Sequence, residues 1–78
     1  MAAAYVLVNA APGRTGDARR QMSELPGVTR ADAVTGAYDI IVHIEGRDIS
    51  ELGDRVISHI QSIEGVTQTM TCIVVELP

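Results

Sequence analysis

Residues 25–30 read Leu25-Pro26-Gly27-Val28-Thr29-Arg30, and residues 63–68 read Ile63-Glu64-Gly65-Val66-Thr67-Gln68. The shared Gly-Val-Thr recurs at an offset of 38 positions, and the apolar pattern ahead of it recurs at the same offset. Ala18, Met22 and Leu25 fall onto Val56, Ile60 and Ile63. Apolar residues spaced by three and four mark one face of a helix. A glycine just beyond such a stripe ends the helix, because it enters left-handed backbone without the Cβ penalty. Each phrase is therefore expected to be a helix exit that runs into a strand.

Working outward, residues 4–10 (AYVLVNA) have strand composition and end at the turn signal Pro12-Gly13. A helix is expected from Arg14 to Leu25, with Arg19, Arg20, Gln21 and Glu24 on its polar side. Residues 28–34 are short and half polar, as suits an edge strand, and Thr35-Gly36 turns the chain into a third strand over residues 39–45. Asp48 with Glu51 has the form of a capping box, followed by the stripe Ile49, Leu52, Val56, Ile60 and Ile63. Residues 66–77 contain no breaker and are expected to form a long fourth strand. The order βαββαβ is two split βαβ units, an α+β ferredoxin-like sandwich in one domain spanning residues 1–78. Its four-stranded antiparallel sheet has strands one and three at the centre and both helices on one face.

The chain of 78 residues has no Phe and no Trp, so aliphatic side chains must build its core, and stacking on bases or aromatic substrates is poorly served. Ten acidic against six basic residues give a net charge of −4, which excludes a phosphate-backbone footprint. The lone Cys72 fits a reducing compartment, with the cytoplasm as the expected location. The opening MAAAYVLVNAAPG lacks a basic leader and is interrupted by Asn9 and Pro12, so neither a signal peptide nor a membrane span is expected.

Both central strands carry apolar side chains on both faces, although two helices cover only one. Val6, Val8, Ile40, Val42 and Ile44 are assigned to the helix side; Tyr5, Leu7, Ile41 and part of strand four are left on the open side, with Asn9 and His43 near or within any interface there. Burying each large side chain contributes about 2 kcal/mol. Several such residues on two subunits offset an association cost of roughly 4–15 kcal/mol, so sheet-to-sheet homodimer packing is expected.

No nucleophile elbow, phosphate loop, dinucleotide fingerprint or metal cluster is present; Gly13 and Gly16 alone make no phosphate cradle. His43 and His59 lack partners at ligand spacing, so no metal and no cofactor are expected. The segment Val34-Thr35-Gly36-Ala37-Tyr38-Asp39 gathers backbone amides, a phenol and a carboxylate. It is either a turn whose Asp39 satisfies local amides or a cradle for a zwitterion. Thr67, Thr69 and Thr71 alternate along strand four, as ligand donors or as ordinary strand residues.

Taken together, AYVLVN, the Pro-Gly at 12 and 13, LPGV at 25–28, VTGAYD at 34–39 and GVTQTMT at 65–71 resemble the effector-binding domain of Lrp/AsnC transcription regulators, also called the regulation-of-amino-acid-metabolism (RAM) domain. The resemblance covers almost the whole chain. It implies a βαββαβ fold, sheet-paired homodimers assembled into a higher oligomer such as an octamer-like ring, and amino-acid binding where dimers meet. Carried over, it implies a ligand site formed by Gly36, Ala37, Tyr38 and Asp39 with Thr69, Met70 and Thr71, and a dimer interface formed by Tyr5, Leu7, Asn9, Ile41 and His43. Ala37 stands where relatives often carry a polar residue. The chain begins at strand one, so the resemblance is to the stand-alone form without a helix-turn-helix. A non-enzymatic module is implied, one that senses an amino acid without contacting nucleic acid and partners a full-length Lrp/AsnC regulator. Two other readings stand beside it: a small dimeric α/β-barrel enzyme of monooxygenase type using Asn9 and His43, and a pure oligomerisation module.

Overall fold

The computed structural model describes residues 1–77. Its elements are strand β1 (Ala2–Ala10), helix α1 (Thr15–Ser23), strands β2 (Val28–Ala33) and β3 (Ile40–Gly46), helix α2 over residues 49–61, and strand β4 (Val66–Ile73). The four strands form one antiparallel sheet in the order β2-β3-β1-β4, so β1 and β3 are central and the ferredoxin-like βαββαβ topology holds. Both helices pack on the face that carries Ala4, Val6, Val8, Ala31, Ile40, Val42 and Ile44, where they contribute Ala18, Met22, Leu52, Val56 and Ile60 to the core. All five central-strand residues expected on this side are fully buried.

The repeated phrase has the same structural role twice. Val28 N–H donates to the Leu25 carbonyl at 3.1 Å and Val66 N–H to the Ile63 carbonyl at 3.2 Å, closing two matching turns after the helices. The third residue of each turn is glycine at positive φ, +93° at Gly27 and +97° at Gly65, which a side chain rarely tolerates. Each glycine carbonyl then ties its half to the other: Glu45 N–H donates to Gly27 at 2.8 Å and Ala11 N–H donates to Gly65 at 2.7 Å. The threonines mark two bulges, one between Val28 and Arg30 and one opposite Asn9 and Ala10. Thr29 Oγ1 donates to the His43 carbonyl at 3.1 Å, and Thr67 Oγ1 donates to the Asn9 carbonyl at 3.2 Å. Gly-Val-Thr thus encodes a turn glycine, a core-facing valine and a bulge hydroxyl that fastens an edge strand to a central one.

Several expected boundaries move. Strand β4 ends at Ile73 rather than at residue 77, with Val74 N–H adding one last bond to the Ala3 carbonyl at 2.9 Å. The pairing stops there because Ala4 already faces Ile73, so β1 has almost no residues left to extend the ladder. Strand β1 starts at Ala2, β2 ends at Ala33, β3 covers Ile40–Gly46, and α1 is shorter at both ends than the expected span from Arg14 to Leu25. Asp48 caps α2 as expected, its carboxylate accepting from Glu51 N–H at 2.9 Å, while the Glu51 carboxylate reaches back to Arg47 N–H at 3.0 Å instead of the cap residue's own amide. Ile49 departs from the core stripe and is 61% exposed, because it lies in the first turn of the helix, short of the sheet. Between the α-helical ends Ile49–Glu51 and Ser58–Gln61, α2 widens into a π-helical stretch, Leu52–Ile57. The Ser58 hydroxyl donates to the Gly53 carbonyl five residues earlier, at 3.0 Å. No helix among the described residues is long and apolar enough to cross a membrane.

Candidate functional site

Cross-strand partners in an antiparallel sheet project to the same side. Leu7 opposite Ile41 and Met70, Tyr5 opposite His43 and Cys72, and Asn9 opposite Gln68 therefore share the face away from the helices. Arg30 and Asp32, opposite His43 and Ile41, extend it across β2. Tyr5 and Met70 are about half exposed at 46% and 48%, while Leu7, Ile41, Asn9 and His43 are partly covered by their neighbours. The face has an apolar middle, formed by Tyr5, Leu7, Ile41 and Met70, and a polar margin.

Two local networks order that face. The Tyr5 and His43 rings lie 4.9 Å apart at an interplanar angle of 59°. His43 Nδ1 also meets Thr29 Oγ1 at 2.5 Å. Thr29 thus touches His43 at both its ring nitrogen and its backbone carbonyl. Arg30 Nε donates to Asp32 Oδ2 at 2.7 Å beside them. Tyr5, Thr29, Arg30, Asp32 and His43 line an open depression of ≈ 430 Å³.

The turn between β2 and β3 reaches the same face. Tyr38 is partly covered, and its hydroxyl donates weakly to Met70 Sδ at 3.6 Å, which carries the phenol across β1 to the open side of β4. Asp39 is held firmly: its N–H donates to the Val8 carbonyl and its own carbonyl accepts from Val34 N–H, both at 2.9 Å. Its Oδ2 accepts from Ala10 N–H at 2.9 Å, satisfying an amide beyond the end of the β1–β3 ladder at Val8 and Ile40. Gly36, at φ +146°, and Ala37 form the exposed tip of the turn.

The residues grouped from sequence thus divide between two faces. Tyr38 and Met70 meet on the open face with Tyr5, Leu7, Asn9, Ile41 and His43. Thr69 and Thr71, opposite Val8 and Val6, lie on the helix side, and Gln61 Nε2 donates to Thr69 Oγ1 at 3.2 Å. The bulge at Thr67 breaks the threonine alternation expected along β4. Sequence reading passed over Thr29, Arg30, Asp32, Gln68 and Cys72 as members of the open face. The second Gly-Val-Thr was the available signal for the bulges, but a one-residue register shift is invisible without the partner strand.

A family model described as the Lrp/AsnC ligand binding domain matches residues 3–78. Among curated proteins, a homocitrate synthase of Sulfurisphaera tokodaii is 37% identical over 57 residues, covering 73% of this chain and 12% of the enzyme. The helix-turn-helix transcriptional regulator LysM of Saccharolobus solfataricus is 35% identical over 72 residues, covering 91% of this chain and 50% of the regulator. This chain therefore spans half or less of the length of either. A crystal structure of a Thermus thermophilus protein superimposes with a TM-score of 0.91 at 33% identity, covering 100% of this chain and 98% of that one.

Proposed function

The chain belongs to the Lrp/AsnC ligand-binding-domain family, and from that premise we propose that it is an oligomeric regulatory module that binds an amino acid beside its Tyr38-Asp39 turn. It is a regulatory domain, not a catalytic one: helix-turn-helix regulators match it across as much as 91% of its length. The homocitrate synthase match takes in only 12% of that enzyme. The single observation that carries the proposal is the convergence of the turn and the apolar sheet face, through the contact of Tyr38 with Met70.

Two copies pack their open faces together, burying Tyr5, Leu7 and Ile41 at the centre, with Met70 at the β4 margin and Arg30, Asp32 and Gln68 in the polar rim. Asn9 and His43 sit within that interface, and such dimers assemble further into a ring. Where dimers meet, the exposed tip at Gly36 and Ala37 offers backbone amides to a ligand carboxylate, and Asp39 Oδ1, which the fold leaves free of protein donors among the described residues, receives the ammonium. Met70 and Tyr38 line the side-chain pocket. Thr69 and Thr71 contribute from the helix side of β4, at the edge of the sheet. A full-length regulator of the same family is the partner through which the module acts, by sharing an assembly with it.

Sedimentation equilibrium joined to calorimetry with each of the twenty amino acids tests this reading. A dimer or larger species that takes up at least one amino acid is expected. A monomer silent toward all twenty ends the proposal.

A further inference from the structure

One rung of the sheet crosses the open face as Arg30 on β2, His43 on β3, Tyr5 on β1 and Cys72 on β4. The next rung holds Asp32, Ile41, Leu7 and Met70 in the same strand order, so the imidazole sits beside the apolar middle of the face. On its other side, two positions along β3, Glu45 stands opposite Ala3. The ring is partly covered from within the subunit: Tyr5 lies against it at 4.9 Å between centroids, and Thr29 Oγ1 meets Nδ1. The imidazole also lines the open depression of ≈ 430 Å³, and so faces whatever covers the sheet.

The charges around the ring suit a neutral imidazole better than an imidazolium. Directly across the strand pair stands the cationic Arg30, whose Nε is already committed to Asp32 Oδ2 at 2.7 Å. His43 forms no ion pair with Asp32, Glu45 or any other carboxylate among the described residues. Histidine is also the one residue type on this face whose ordinary titration falls between about pH 5 and 8. In a separated subunit, water solvates the protonated ring. Under a second sheet that charge loses its water beside Arg30, with no carboxylate of its own subunit paired to it, and the cost opposes association. We infer that His43 makes the proposed sheet-to-sheet association pH-sensitive, an assignment that rests on that dimer: the paired state holds neutral imidazoles, and protonation releases folded subunits. The sign follows from proton counting. Two separated subunits bind two more protons than the pair, so the dissociation constant rises by up to about a hundredfold per pH unit once the free subunits are protonated.

Sedimentation equilibrium of the intact chain between pH 8 and pH 5, with the His43 ring protons followed by NMR at two chain concentrations, tests this. The dissociation constant is expected to be at least roughly tenfold higher at pH 5 than at pH 8, with an unchanged far-ultraviolet spectrum. The pH at which the His43 ring takes up its proton is expected to fall as concentration is raised, because more chains are then paired. His43→Phe, which keeps a ring against Tyr5 and cannot be protonated, and His43→Gln are both expected to remove the response, while His59→Gln, on α2, keeps it. An assembly whose dissociation constant and His43 titration ignore pH and concentration overturns the inference and leaves the sheet-to-sheet dimer standing. A monomer at every pH removes both. Tighter pairing in acid overturns it as well, since a partner carboxylate would then receive the imidazolium, and so does a response that survives in both His43 variants.

Discussion

At Gly27 a Cβ would stand 2.7 Å from Val56 Cγ2 and 3.2 Å from the Glu45 carbonyl, on a backbone already at φ +93°. Gly13 has a similar φ of +81° but nothing within 4 Å of the same position. Gly13→Ala is therefore expected to cost only the backbone term, about 1–2 kcal/mol. Gly27→Ala adds the displacement of a buried side chain, about 1–3 kcal/mol more. Urea unfolding of the two variants checks this, and equal losses would show that the contact with Val56 is relieved without cost. Asp39 gives a second residue-scale prediction. Asp39→Ala leaves the Ala10 amide without its acceptor and is expected to lose about 1–3 kcal/mol, whereas Asp39→Asn keeps a carbonyl in place and loses less. Thermal unfolding of both separates this structural duty from any part in ligand binding. The glycines were legible in the sequence because a local turn demands them. The Asp39 duty was not, because its partner lies 29 positions away across the sheet.

Helix α2 shows what periodicity reads and what it leaves out. Leu52, Val56 and Ile60 are buried as their spacing predicts, yet Ile49, in phase with them, stays in solvent. Ile60→Ala is expected to lose about 2–5 kcal/mol, while Ile49→Ala should change stability by no more than about 0.5 kcal/mol. Denaturant midpoints measured side by side decide this, and a large loss at Ile49 would place it under a surface the monomer does not contain. Asp48→Ala should cost about 1 kcal/mol through the lost cap, read as earlier fraying of the α2 amides in hydrogen exchange. A stripe at spacings of three and four is consistent with either an α-helical or a partly π-helical course. The widening at Leu52–Ile57 therefore left no mark in the sequence pattern. Strand β4 failed in the opposite way, since its β-rich composition continues past Ile73 while its partner strand does not.

For the whole molecule, the open sheet face is the feature with the largest consequence. On the proposed sheet-to-sheet dimer, Ile41→Glu places a charge at the apolar centre of the contact while leaving the helix-side core of each subunit intact. The variant is expected to sediment as a folded monomer with an unchanged far-ultraviolet spectrum. Retention of the wild-type mass would move the interface elsewhere. The existence of this face was readable from the two-sided apolar pattern of β1 and β3, but its full membership was not. Each bulge shifts an edge strand by one residue and exchanges its faces, and that shift put Arg30 and Gln68 beside His43 and Asn9.

By itself the sequence determined the order of elements, the helix-side core and the duplicated exits, because glycine turns, apolar spacing and strand composition act over a few neighbouring residues. Only the tertiary structure decided that Tyr38 meets Met70 on one face while Thr69 and Thr71 lie on the other, and that Asp39 serves the Ala10 amide. Those juxtapositions depend on register between strands distant in the chain, which backbone hydrogen bonding across the sheet fixes and no local run of residues encodes.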